Sequence, residues 1–262
     1  MSNLTNIILE FGRKAFGLLA RDFSEIQSFS GSNAAINFAD KAAKRTFSML
    51  KETLGGLTDS EVILSGQISQ IHKLENKPKT LFLVSPIDST SNFLRSIQFF
   101  ATTISAMIWD DKKQIYETNA AVMYFPATKQ VFYANNGQGA WMQDFSGDAK
   151  VIRLRIKNNV PTPSWLTVSD RASLYNAPIF VNKFKLSQMQ FRNFGSPCFA
   201  TSSLLNNKAE LVVFAGIDNA ISEASILLCK EAGGMNKTIE DKKTIYSLLC
   251  SDMLPAVSLH SI

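Results

Sequence analysis

The chain has 262 residues, 45% of them hydrophobic and 19% charged, and its 27 Lys+Arg against 22 Asp+Glu give a net charge of +5. These values suit one large globular domain or two modest ones, and exclude a disordered chain, a collagen, a coiled coil and a small disulfide scaffold. The mild positive charge permits a phosphorylated partner or nucleic acid without requiring one, and no run of five like charges or Arg-Gly-aromatic tract points to nucleic acid.

Leu4, Ile7, Ile8, Phe11, Phe16 and Leu19 recur at helical spacing and predict an amphipathic first helix. The same stretch carries Glu10 early and lacks a long apolar core with a small-residue cleavage site, so it does not read as a secretory signal. A cytoplasmic protein is expected. No apolar run approaches the ~20 residues of a membrane span. A second helix is predicted from about Ala34 to Leu54, with Phe38, Ala42, Phe47, Leu50 and Leu54 inward. Val62 to Leu64 reads as a strand, Gln67 to Lys79 as a polar loop, and Leu81 to Val84 as a short buried strand ending at Pro86. Phe99 to Trp109, Ala120 to Tyr124 and Gln130 to Ala134 follow as a meander, broken at Asp110–Lys113, Pro126 and Gly137-Gln138-Gly139.

Asn158 to Ser164, with two prolines, is the best internal boundary, giving an α+β half over 1–157 and an α/β half over 158–262 within one compact unit. Beyond it, strands are predicted at Leu166–Val168, Phe191–Phe194 and Leu211–Phe214. Helices are predicted near Leu186, from about Ser196, and from about Asn219 to Ala232. That alternation predicts a layered α/β architecture. Cys198, Cys229 and Cys250 form no CxxC pair, and only His72 and His260 could join them, so they read as buried thiols rather than a zinc site.

The stretch that carries chemistry is Val84-Ser85-Pro86-Ile87-Asp88-Ser89-Thr90-Ser91-Asn92-Phe93. A buried strand runs into a tight turn crowded with short polar side chains. Such a turn can aim a carboxylate, a backbone carbonyl and a hydroxyl at one point, the oxygen-only chemistry that magnesium prefers. Asp88 and Thr90 can equally serve to cap the helix that follows.

Over nearly its whole length the chain resembles the inositol monophosphatase family. Ser-Pro-Ile-Asp-Ser-Thr-Ser-Asn-Phe stands where the family has Asp-Pro-Ile/Leu-Asp-Gly-Thr-x-Asn-Phe. Phe99 to Ser105 matches the next strand, Ala134 to Trp141 the A-x-x-G-x-G-A segment, and Arg192 to Ser196 the R-x-x-G-S/T substrate loop. Gly216-Ile217 and Glu231 to Gly234 bracket the last helix. The resemblance implies a sugar-phosphatase fold of alternating helix and sheet layers, magnesium-dependent hydrolysis of phosphomonoesters, and a homodimer.

Carried over residue by residue, the resemblance implies a depleted metal site. The family's glutamate falls on Gln67 and its first motif aspartate on Ser85. Ile87, whose carbonyl is a ligand, Asp88 and Thr90 are kept, and the motif glycine is Ser89. An earlier aspartate that helps place a metal-bound water falls on Asp40. Gly195 and Ser196 take the substrate-binding positions. The last aspartate falls on Ile221 in the ungapped register, with Asp218 the substitute in a rival one, and a sugar-gripping glutamate falls on Phe214. Losing even an indirect partner of a metal commonly costs ~10–100-fold, so three lost ligands predict a deficit of at least ~10³-fold.

Three functions are therefore expected as alternatives. One is a regulatory protein on a phosphatase fold, as in the extragenic-suppressor (SuhB-type) branch, with transcription antitermination factors or RNA polymerase as partners. Another is a weak magnesium-dependent phosphomonoesterase acting on inositol phosphate or another sugar phosphate. The last is a metal-free sensor of a phosphorylated metabolite, seated at Gly195-Ser196.

Overall fold

The computed structural model describes residues 3–29, 32–67, 71, 77–144, 150–157, 164–169, 190–215, 219–241 and 244–250. The boundary expected over 158–163, the helix near Leu186, and His72, Asp218 and His260 lie outside the described residues.

Helices α1 (Asn3–Ile26) and α2 (Ser32–Gly55) are both 24 residues long and pack side by side. Seven strands follow: β1 (Ser60–Leu64), β2 (Thr80–Ser85), β3 (Thr102–Asp110), β4 (Ile115–Phe125), β5 (Gln130–Asn135), β6 (Gly139–Asp144) and β7 (Val151–Arg153). They form one sheet in sequence order, antiparallel except for the β1–β2 pair. The one-turn helix α3 (Thr90–Leu94) leaves the end of β2. The second sheet takes β8 (Ser164–Ser169), β9 (Gln190–Arg192), β10 (Leu211–Ala215), β11 (Met235–Asp241) and β12 (Thr244–Cys250) in the order β11-β12-β10-β8-β9. Helices α4 (Pro197–Leu205) and α5 (Asn219–Glu231) lie between the sheets.

The layering follows from the two-residue period of the strands. On β2, Phe82 and Val84 join Ile8, Phe16, Leu50, Leu54 and Tyr124 in the core under α1 and α2, where Phe16 stacks on Tyr124 at 4.3 Å. Leu81 and Leu83 point the other way and meet Ile63, Met107 and Ala220 at the start of α5. Below them, Ala121, Met123, Phe132 and Ala134 pack against Ile221, Ala224 and Leu228 of α5. A further cluster of Ala200, Leu204, Val212, Phe214, Cys229 and Leu249 joins α4 and α5 to the second sheet. The result is a helix–sheet–helix–sheet stack, the layered α/β architecture expected. The β11–β12 hairpin, which closes an edge of the second sheet, was not among the predicted elements.

All three cysteines are buried. Burial, with Cys250 beside it, pushes the Cys229 thiol up to about 12, which removes it as a nucleophile at neutral pH.

Candidate functional site

Ser85 shares the face of β2 that carries Leu81 and Leu83, so alternation turns it towards α4 and α5. Its register partner on β3 is Thr103, whose hydroxyl lies 3.0 Å from Cys198 Sγ on α4. The turn after Ser85 is fixed by its neighbours. Thr102 donates to the Pro86 carbonyl at 2.7 Å, Asp88 N–H donates to the Ala101 carbonyl at 3.0 Å, and the Ile87 side chain packs with Leu19, Phe93 and Phe100.

Asp88 is half-buried and held by three donors. Its Oδ1 accepts from Ala101 N–H at 2.7 Å, and its Oδ2 from Ser196 Oγ at 2.5 Å and Cys198 N–H at 3.0 Å. A carboxylate offers about four lone-pair sites, so three are occupied by protein. Desolvation raises the Asp88 carboxyl above its ordinary range, against the lowering pull of those hydrogen bonds. Asp88 thus holds the N-terminus of α4, 110 residues away, rather than that of the adjacent α3. The N-cap of α3 is Ser89, which makes no side-chain capping bond; its hydroxyl lies 3.4 Å from that of Ser91.

Helix α4 begins with Ser196 at the N-cap and Pro197 in the first turn, and Ser196 Oγ also accepts from Phe199 N–H at 3.0 Å. Gly195, at φ +71, turns the chain into this cap. The motif asparagine, Asn92, donates to the carbonyls of Phe99 at 2.6 Å and Phe194 at 2.8 Å, locking the two loops together. At this corner Gly195 N–H donates to Asn193 Oδ1 at 2.9 Å, and Cys198 N–H donates to Asp88.

Ser65 accepts from Ala220 N–H at 2.6 Å, and Ser105 donates to the Ala220 carbonyl at 2.7 Å, so the start of α5 is pinned beside the turn. Gln67 is exposed, two residues beyond Ser65. Ile221 is 2% exposed and packed in apolar surroundings, and Phe214 is enclosed between α4 and the second sheet. Thr90 is exposed at the first position of α3. The exposed carboxylate of Asp40 pairs with Lys44 of the same helix at 2.6 Å. Glu223 accepts from Thr118 at 2.5 Å on the far side of α5. Gly137 and Gly139 donate their N–H groups to Glu231 at 2.7 Å each.

Magnesium requires a near-octahedral set of oxygens, usually with more than one carboxylate in reach of ion and phosphate. Among the described residues no three His, Cys, Asp or Glu side chains are grouped to hold a metal. Among the described residues Asp88 is the single acid at the turn, and the residues described there do not by themselves fit a magnesium centre. Sequence reasoning missed Ser65, Thr103, Ser105 and Cys198, and only the Ser196-Pro197 pair carried a local signal, that of a helix start.

Comparison with known proteins agrees with this geometry at the level of fold. Over 151 residues the chain is 30% identical to an inositol-1-monophosphatase of Mesorhizobium japonicum, covering 55% of this chain and 51% of that protein, about half its length. Over 239 residues it is 23% identical to the Nus factor SuhB of Escherichia coli (strain K12), covering 90% of this chain and 85% of that one. The crystal structure of the extragenic suppressor protein SuhB from Bartonella henselae superposes with a TM-score of 0.70 at 19% identity, covering 96% and 95% of the two chains. A family model matches residues 1–254, and with the motif turn, the two-sheet stack and the α4 cap in place, this chain belongs to the inositol monophosphatase family.

Proposed function

We propose that this chain keeps the family's fold but has given up magnesium-assisted phosphate hydrolysis, and that it acts as a cytoplasmic, homodimeric binding protein of the SuhB type. The observation that carries this is the state of Asp88. The kept acid of the motif is spent on Ala101, Ser196 and Cys198, with Ser85, Gln67 and Ile221 contributing no charge. A pocket without clustered negative charge has little means of concentrating divalent cations beside a phosphate ester. Similarity to a Nus factor over 90% of the chain supports partners in the transcription machinery, such as antitermination factors or RNA polymerase.

The decisive measurement is phosphate release from inositol 1-phosphate and other sugar phosphates with millimolar magnesium. Turnover is expected to stay far below ~1 s⁻¹, the lower end of ordinary enzyme rates. Calorimetric titration with magnesium or manganese is expected to show no saturable heat. Turnover above that level with saturable magnesium binding reverses the proposal. It would favour the second reading, a phosphomonoesterase of altered specificity, which draws on the retained Ile87, Asp88 and Thr90. A pull-down from native lysate that returns only a second copy of this chain would count against the binding role.

A further inference from the structure

Basic residues line up where the first sheet ends. The segment from Val151 to Lys157 reads Val-Ile-Arg-Leu-Arg-Ile-Lys, so Arg153, Arg155 and Lys157 alternate with apolar residues and form no run of charge. In an extended chain successive side chains point to opposite faces, and that period sorts them. Leu154 is buried against α5, and Ile156 is half-buried against the same helix and the second sheet. Arg153, Arg155 and Lys157 are all exposed. The backbone is held beyond the end of β7. Leu154 N–H donates to the Ala140 carbonyl at 2.8 Å and Ile156 N–H to the Ala232 carbonyl at 2.9 Å. Asn207, in the left-handed region just past α4, takes the alternate groups: its Nδ2 donates to the Arg155 carbonyl at 3.0 Å and its Oδ1 accepts from Lys157 N–H. The three cations therefore follow one another at about 6.7 Å along a fixed ribbon.

Among the described residues no carboxylate pairs with any of the three. Arg153 lies over the ring of Trp141, its register partner on β6, at 5.5 Å from the centroid. One end of the ribbon thus offers a planar guanidinium backed by a half-buried indole, a surface on which a flat ring can stack. Charge on a sheet edge often serves only to deter other strands. That does not account for Arg155 and Lys157, which lie past the paired residues of β7, where Asn207 already fills the edge. A row of uncompensated cations beside a stacking platform matches a polymer of phosphodiesters with unpaired bases: the cations follow its backbone and a base meets the Arg153–Trp141 stack. An acidic peptide would answer the charge and leave the stack unused. We infer that the Arg153–Arg155–Lys157 ribbon, with Trp141, is a docking face for a single-stranded nucleic acid. It adds a class of partner to the binding role proposed above and draws on no residue of the motif turn, so phosphate release or magnesium binding there leaves it standing.

The test is fluorescence anisotropy of a labelled oligouridylate of about ten nucleotides, titrated with the full chain. Saturable binding is expected, with log affinity falling against log salt at a slope of about −2, the value for three phosphate contacts on a single strand. Arg153→Gln, Arg155→Gln and Lys157→Gln combined should weaken binding by about tenfold or more and flatten that slope. All three side chains are exposed, so the melting temperature should barely move. Lys14→Gln, Lys41→Gln and Lys129→Gln combined remove the same charge from exposed positions on α1, α2 and the β4–β5 turn, and should leave affinity within about twofold. Absence of saturable binding overturns the inference. Equal weakening in the two triple variants also overturns it, since net charge alone would then explain the affinity. Tighter binding of a duplex of the same length, or of an oligoglutamate peptide, overturns it as well, by assigning this face a different partner.

Discussion

Ile221→Asp, which introduces an acid where the family resemblance implies one in the ungapped register, should destabilise the protein and leave magnesium binding no better. Ile221 is 2% exposed among Ala101, Met123, Phe125, Phe132 and Leu228. Replacing it removes an aliphatic side chain from a packed cluster and puts a polar group there without a partner. Together these cost at least ~4 kcal/mol. One effect opposes: the position is in the first turn of α5, where an acid gains ~0.3–1 kcal/mol from the helix dipole. Burial wins by a wide margin. For a chain of this size the melting temperature should fall by about 8–16 °C. The introduced carboxyl would have a raised pKa, so the penalty should grow as pH rises from ~4 towards neutrality. Ile221→Val is the matched control, at ~0.5–1.5 kcal/mol. An Ile221→Asp protein that keeps its melting temperature and is further stabilised by magnesium would place this side chain in a metal pocket.

Asp88→Ala should be the second large effect, and it separates a structural acid from a metal ligand. Removing the carboxylate leaves the N–H groups of Ala101 and Cys198 and the hydroxyl of Ser196 without their acceptor. At ~1–3 kcal/mol for each buried backbone donor, the expected loss is about 3–5 kcal/mol, read in chemical denaturation without any metal present. Asp88→Asn should cost roughly half, because one oxygen remains while the amide nitrogen meets a donor. The pH dependence has a definite sign. A carboxyl raised in the folded state binds its proton more tightly there than when unfolded. Its contribution to stability is therefore greatest below the ordinary carboxylate range and declines as pH climbs through the folded value. The wild-type advantage over Asp88→Asn should accordingly be largest in acid. An acid whose only task was to hold cations would tolerate replacement in metal-free buffer, so unchanged stability in both variants would refute the latching role.

The two long N-terminal helices and the strands from Val62 to Ala134 were legible because each carries its own signal: a 3.6-residue stripe such as Leu4–Phe11–Leu19, or a short apolar run bounded by Pro126 or Gly137. The β11–β12 hairpin was not, since Asn236, Lys237 and Thr238 show no apolar alternation and the pairing is supplied by the partner strand. The motif turn was equally plain, but its chemistry was not. Asp88 reads as a ligand or a local cap from its neighbours, whereas its partners Ser196 and Cys198 come from a helix more than a hundred residues on. The choice between Ile221 and Asp218 has the same character. Spacing leaves both open, and the packing of Ile221 is a property of the assembled layers; Asp218 lies outside the described residues.

Helix α5 is fastened at both ends. Its first turn is bolted through Ala220 to Ser65 and Ser105, and its last is gripped through Glu231 by the amides of Gly137 and Gly139. An acid at a helix C-terminus is ordinarily disfavoured, and the two amides offset that by forming a small anion-binding concavity. Four hydrogen bonds thus tie the two ends of the middle-layer rod to the first sheet and its β5–β6 turn.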